Sequence, residues 1–181
     1  MTKVAFNISM SLDGFITAGN QTREEPLGKN GEFLHGWFFN GGAEGDAHVQ
    51  RLTSNVGAVI CGRKCYDDSI PYWDENGPTG PLKLPLFVVT HRPLLASHST
   101  GIYRAAGSIP DAVKQAKSAP GGRDVSLMGG ASLAIFLANV VFPASRGPTI
   151  STTRVSDIAS ATPCSTSLGY SATASFVSMT V

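Results

Sequence analysis

Four short stretches of this chain carry residues able to hold an anion or move a proton: Ser11-Leu12-Asp13-Gly14, Gly62-Arg63-Lys64, Thr90-His91-Arg92 and Gly129-Gly130-Ala131-Ser132. Two glycines ahead of a helix let bare backbone approach a bulky anion, and the first N–H groups of the helix face it with about half a unit of positive charge. Gly129-Gly130 therefore reads as a diphosphate seat, while a tight strand-to-helix turn is the plainer account of the same pair. Arg63-Lys64 and Thr90-His91-Arg92 add cations and a hydroxyl, although either one alone is ordinary for a surface loop.

The elements around these stretches give them a common address. Residues 3 to 10, with Val4, Phe6 and Ile8 alternating with smaller or polar residues, have the period of a half-buried strand. VGAVICG at 56–62, LPLFVVT at 84–90 and DVSLM at 124–128 read as buried strands, with a shorter one around Ile102 to Ala105. Helices are expected near Glu32 to Phe38, over 43–55, in a short turn through Tyr66, and after Gly130. The segment SIPDAVKQAKSAP has Ser108 and Asp111 at capping-box spacing, Pro110 in the first turn, and Lys114 and Lys117 toward the negative end of the dipole. Pro71 to Pro81 reads as loop, and 17–42 as a long glycine- and asparagine-rich loop region of the kind that often binds. Strands alternating with helices predict an α/β fold with a mainly parallel sheet, and such a sheet binds ligands beyond the carboxyl ends of its strands. All four stretches follow predicted strands. Three anion-friendly exits suit a diphosphate plus one further phosphate, which is the count in NADP, whose 2′-phosphate favours arginine and a hydroxyl.

Composition narrows the partners. Lys+Arg at 14 against Asp+Glu at 13 leave a net charge of +1, too little to hold a nucleic-acid backbone or an anionic membrane. Asn7, Ser9 and Asp13 interrupt the apolar N-terminus, and Gly129, Gly130, Ser132, Asn139 and Pro143 interrupt the uncharged stretch 125–145, so neither a signal peptide nor a membrane span is expected. Cys61, Cys65 and Cys164 are an odd number in a chain that folds without staples, which points to reduced thiols in the cytoplasm. Cys61 and Cys65 could share a helical face, but with no second pair and no histidine at finger spacing no metal is expected. The G-x-G-x-x-G fingerprint is missing, and Gly28-Lys29-Asn30 lacks the spacing and the Ser/Thr of a P-loop.

VAFNISMSLDGFI, PLGKNGEFLHGWFF, GAVICGRKCYD, LFVVTHRP and DVSLMGGASLA, in this order and spacing, resemble the dihydrofolate-reductase-like family that includes the reductase domain of riboflavin-biosynthesis deaminase-reductases. The match runs from about Lys3 to about Leu137, and PLGKNGEFLHGWFF resembles its stand-alone bacterial members. The resemblance implies three layers, a mostly parallel central sheet flanked by helices, with NADPH as hydride donor and a pterin- or aminopyrimidine-like substrate. It implies that Gly62, Arg63 and Tyr66 make the strand-to-helix phosphate contact. Thr90, His91 and Arg92 would form the 2′-phosphate loop, and Gly129, Gly130, Ala131 and Ser132 the diphosphate turn. Asp13 matches the acidic position beside the nicotinamide. Family members often pair as homodimers.

Hydride transfer to a C=N bond needs orientation, exclusion of water and a proton source. Asp13 is the candidate to orient substrate or relay a proton, although Asp-Gly is also a common turn pair. Glu32, Trp37 and Phe38, with His35 and Phe39, could wall a flat heterocycle, or simply pack a helix face. Asn7 could face the pocket or satisfy a neighbouring backbone group, and His48 and His98 are expected at the surface.

Two departures stand out. Cys65 occupies a position where the family usually has Thr, and the family's closing segment does not appear after Leu137. Residues 1–142 are thus expected to form the NADPH-binding domain. The remainder, 143–181, is atypical: 16 of its 39 residues are Ser or Thr, Asp157 is its one acid, and Lys is absent. Tyr170, Phe176, Val177 and Val181 are its material for a final strand. The leading reading is an NADPH-dependent reductase. The alternatives are a nucleotide-binding protein without turnover, such as a sensor or decayed paralogue, and an interaction module that binds no nucleotide.

Overall fold

A computed structural model describes residues 2–11, 15–73, 75–95, 101–119, 121–130 and 132–133, together with the backbone of 149–154 and 175–180. The chain divides into two compact units. The first comprises Met1–Asn7, Asn55–Thr149 and Met179–Val181; the second comprises Ile8–Ser54 and Ile150–Ser178.

The strands are β1 (Val4–Met10), β2 (Val56–Gly62), β3 (Leu86–Val89), β4 (Tyr103–Ala106), β5 (Asp124–Met128), β6 (Thr149–Arg154) and β7 (Ser175–Thr180). Their order is β4-β3-β2-β5-β1-β7-β6. The pairs β4–β3, β3–β2, β2–β5 and β5–β1 are all parallel. Every carboxyl end of this five-stranded part therefore lies on the same edge. β2 is its middle strand, and Ala58, Val59, Ile60 and Cys61 are buried, as an unbroken apolar run predicts for a strand covered on both faces.

Alternation along the strands divides their side chains between the two faces. On one face Val59, Cys61, Leu86, Val88 and Tyr103 pack with Tyr66 of helix α3 (Arg63–Ser69), while Cys65, Ile70 and Trp73 close the cluster. Helix α4 (Ile109–Lys117) packs on β2, β3 and β5 through the buried Ala112 and Ala116, which are not part of that cluster. Its start is as the sequence predicts: Ser108 Oγ accepts the Asp111 N–H at 3.2 Å, a cap worth about 1 kcal/mol. At the opposite, amino edge, Asp124 accepts the Lys3 N–H at 2.9 Å and Asn55 Nδ2 at 2.8 Å, tying the starts of β1, β2 and β5.

In the second unit a 3₁₀ turn (Gly31–His35) leads into helix α1 (Gly36–Phe39), and α2 (Gly42–Thr53) follows. Trp37 Nε1 donates to Ser9 Oγ at 3.0 Å, and His48 meets the Trp37 ring edge-on at 5.4 Å between centroids. His48, expected at the surface, is buried at 7% exposure on α2, beside Arg51. A lone histidine has no periodicity, so sequence could not tell the inner face of α2 from the outer one.

Other expectations shift in detail. The Pro71–Pro81 loop contains a 3₁₀ segment, Gly77–Leu82. Phe176 and Val177 do lie in a strand, β7, and a further strand, β6, comes from the same Ser/Thr-rich stretch. Tyr170, Val181, Cys164, His98 and most of the helix expected after Gly130 lie outside the described residues.

Candidate functional site: the carboxyl edge of β2, β3 and β5

Register makes the site. Gly62 pairs with Val89, and Cys61 pairs with Met128. Arg63 therefore follows beside Thr90, while Gly129 lies beside Gly62, one position before Arg63, so the exits of three adjacent strands spaced about 4.8 Å apart sit side by side. Three of the four stretches singled out by chemistry thus meet on one edge of the first unit. Of the fourth, Leu12, Asp13 and Gly14 lie outside the described residues, as does Ala131.

Arg63 opens α3 and folds over the loop that leaves β3. Its Nη1 donates to Pro93 O at 3.0 Å and to Thr90 Oγ and Arg92 O, both at 3.3 Å, while its Nε donates to Asp67 Oδ1 at 2.7 Å. The guanidinium also lies over the Tyr66 ring, 5.5 Å from its centroid. With 20% of the side chain exposed, Arg63 is chiefly a clamp on the loop. Tyr66 acts similarly: it is buried at 1% exposure, and its hydroxyl receives the Leu95 N–H. Burial nonetheless pushes its phenol pKa up. Arg92 is the outward charge. Its side chain is 67% exposed, with Nη2 on Asp67 Oδ2 at 3.1 Å, and its backbone N–H is fixed by Thr90 Oγ at 3.0 Å. His91 is exposed beside it.

The glycines separate by role. Gly129 has φ +92°, and a Cβ there would lie 2.7 Å from both Cβ and Sγ of Cys65, so the fold itself demands glycine. Gly62 and Gly130 have nothing within 4 Å of where a Cβ would be, among the described residues. The open backbone is therefore at Gly62 and Gly130, with the exposed Ser132 following. Cys61 and Cys65 do not share a helical face: Cys61 lies in β2 and Cys65 in α3. Their thiols share a hydrogen bond that raises the pKa of Cys61, as does burial, and lowers that of Cys65 against the opposing effect of its own burial, with a further bond from Ser69.

Of the residues expected to meet substrate, Asn7 lies on β1 with a buried Oδ1 that accepts no hydrogen bond among the described residues. In the second unit Glu32 is exposed and Phe38 is 49% exposed, whereas Trp37 is engaged in packing with Ser9 and His48. His35 Nδ1 lies 3.5 Å from Ser9 Oγ, and burial lowers its pKa. Asp67 and Ser9 were not singled out from sequence. The signal for Asp67 was present, since an acid four residues after an arginine on a helix is an ion-pair spacing.

Five parallel strands with helices on both faces and an anion-friendly carboxyl edge define an α/β protein of the dihydrofolate-reductase-like class. More particularly, the chain belongs to the RibD C-terminal domain family, whose model matches residues 2–139. That family is one of reductases of the riboflavin-pathway type, which typically use a nicotinamide cofactor. No curated protein sequence matches the chain. Among the described residues no helix is long and apolar enough to cross a membrane.

Proposed function

We propose that the protein is an NADPH-dependent reductase that delivers a hydride to a pterin- or aminopyrimidine-like small molecule, of the dihydrofolate reductase or 5-amino-6-(5-phosphoribosylamino)uracil reductase type. The observation that carries this reading is the convergence of Arg63, Thr90 and Gly129 at the adjacent exits of β2, β3 and β5, with Gly62 beside Gly129. The residues fit such a cofactor: Gly62 and Gly130 offer open backbone to a diphosphate, the exposed side chains of Arg92 and His91 face a 2′-phosphate, and the Thr90 hydroxyl holds the Arg92 backbone in that loop. Arg63 and Tyr66 hold that loop in shape.

The nicotinamide supplies the hydride when bound. The chain supplies orientation and a proton. Asp13 is the proposed residue for that proton, and the buried, unsatisfied Oδ1 of Asn7 suits a substrate N–H. In the second unit the exposed Glu32 carboxylate and Phe38 ring are the groups with surface to offer a flat heterocycle. The enzyme is proposed to act in the cytoplasm as a homodimer, on a small molecule, without nucleic acid or membrane.

Titration with NADPH and NADH, followed by nicotinamide fluorescence, tests the cofactor; NADPH should bind at least about tenfold tighter. Absence of binding by either refutes the reading. Oxidation of NADPH on adding dihydrofolate or the aminouracil tests turnover. A second reading, binding without turnover, is favoured by Cys65 standing where the resemblance has Thr and by a family match that ends at residue 139 of 181. It expects bound NADPH that no substrate oxidises.

A further inference from the structure

An acid at the proposed phosphate loop is at first sight misplaced. Asp67 would repel a phosphoester by simple Coulomb force, yet it is the hub of the cationic cluster: Oδ1 takes Arg63 Nε at 2.7 Å and Oδ2 takes Arg92 Nη2 at 3.1 Å. The two arginines differ in what they have left to give. The Arg63 Nη1 donor is committed inward, to Thr90 Oγ and to the carbonyls of Arg92 and Pro93, so its charge serves the loop. Arg92 faces outward with most of its side chain in solvent, and an exposed arginine has many rotamers to lose before it can take a phosphate. Thr90 Oγ fixes the Arg92 main chain but not its side chain. The guanidinium is held by Asp67.

We propose that Asp67 is a positioning residue for cofactor selectivity. It links Arg63 to Arg92, so that the remaining N–H groups of Arg92 are preset for a phosphomonoester on the cofactor ribose. The inference rests on reading this edge as the cofactor site. A planar fork anchored on one nitrogen keeps its other donors in a fixed plane, which a flexible ammonium could not do. The repulsion from the carboxylate is offset because it is already shared between two guanidinium groups. Selectivity then arises from aim rather than from the sum of charges.

The test is a double-mutant cycle on the full chain with NADPH and NADH as the probes. Arg92→Gln should weaken NADPH about tenfold and leave NADH unchanged. Asp67→Asn should cut the NADPH-over-NADH preference about fivefold, and the double variant should be no worse than Arg92→Gln alone. Asp67→Glu, which keeps the charge, should recover part of the preference and serves if Asp67→Asn does not fold. Equal loss of both cofactors, tighter NADPH binding by Asp67→Asn, or full multiplication of the two losses would each overturn the proposal. A wild-type protein that does not distinguish NADPH from NADH would show instead that the cofactor reading beneath it is wrong.

Discussion

Replacing Gly129 by alanine separates the structural demand at this turn from a functional one. At φ +92° a Cβ meets the following carbonyl, a conformation that costs an L-residue about 1–2 kcal/mol. The same Cβ would lie 2.7 Å from Cβ and Sγ of Cys65, an overlap that requires α3 or the turn to shift at a cost of about 1–3 kcal/mol. The sum, about 2–5 kcal/mol, is a large part of the 5–15 kcal/mol that typically keeps a domain folded. At about 2–4 °C per kcal/mol for a chain of this size, the melting temperature should fall by roughly 5–15 °C. Urea unfolding gives the free energy directly. In a Cys65→Gly background, which removes both contact atoms, the cost of the alanine should drop to the backbone part of about 1–2 kcal/mol. An undiminished cost there, or a loss below about 0.5 kcal/mol in the parent, would refute the reasoning.

Gly62→Val should behave oppositely: Gly62 is extended with open space around it, so stability should fall by no more than about 1 kcal/mol while NADPH affinity drops tenfold or more, and unchanged affinity in the fluorescence titration would remove Gly62 from the diphosphate seat. For the thiol pair, iodoacetamide labelling mapped by mass spectrometry should modify Cys65 before the buried Cys61. Its rate should rise with pH around a midpoint below the ordinary thiol value, because Cys61 and Ser69 bond the Cys65 sulfur; a midpoint at or above that value contradicts the shared bond. Asp124 should make folding acid-sensitive. The Lys3 N–H and Asn55 hold its pKa below the unfolded value, so its contribution is complete above the ordinary carboxylate range and is lost as pH falls through the folded pKa. Chemical denaturation of Asp124→Asn from pH 7 to pH 3 should show a shallower loss than the parent, and parallel curves would rule the contribution out.

The sequence was sufficient for whatever depends on near neighbours along the chain. Apolar runs marked β2, β3 and β5, and Ser108, Pro110 and the two lysines marked α4, because burial periodicity and capping act over a few residues. The stretches proposed to meet the cofactor were legible as motifs for the same reason. Tertiary structure alone decided that β2 lies between β3 and β5, in a register that sets Arg63 beside Thr90 and Gly62 beside Gly129, since strand neighbours are chosen by burial of distant segments against one another. It also decided how similar residues divide their roles. Arg63 spends its donors on loop carbonyls while Arg92 faces solvent, and Gly129 is required by Cys65 while Gly62 and Gly130 are open. A guanidinium's partners and a glycine's surroundings are distances through space, and no spacing along the chain encodes them.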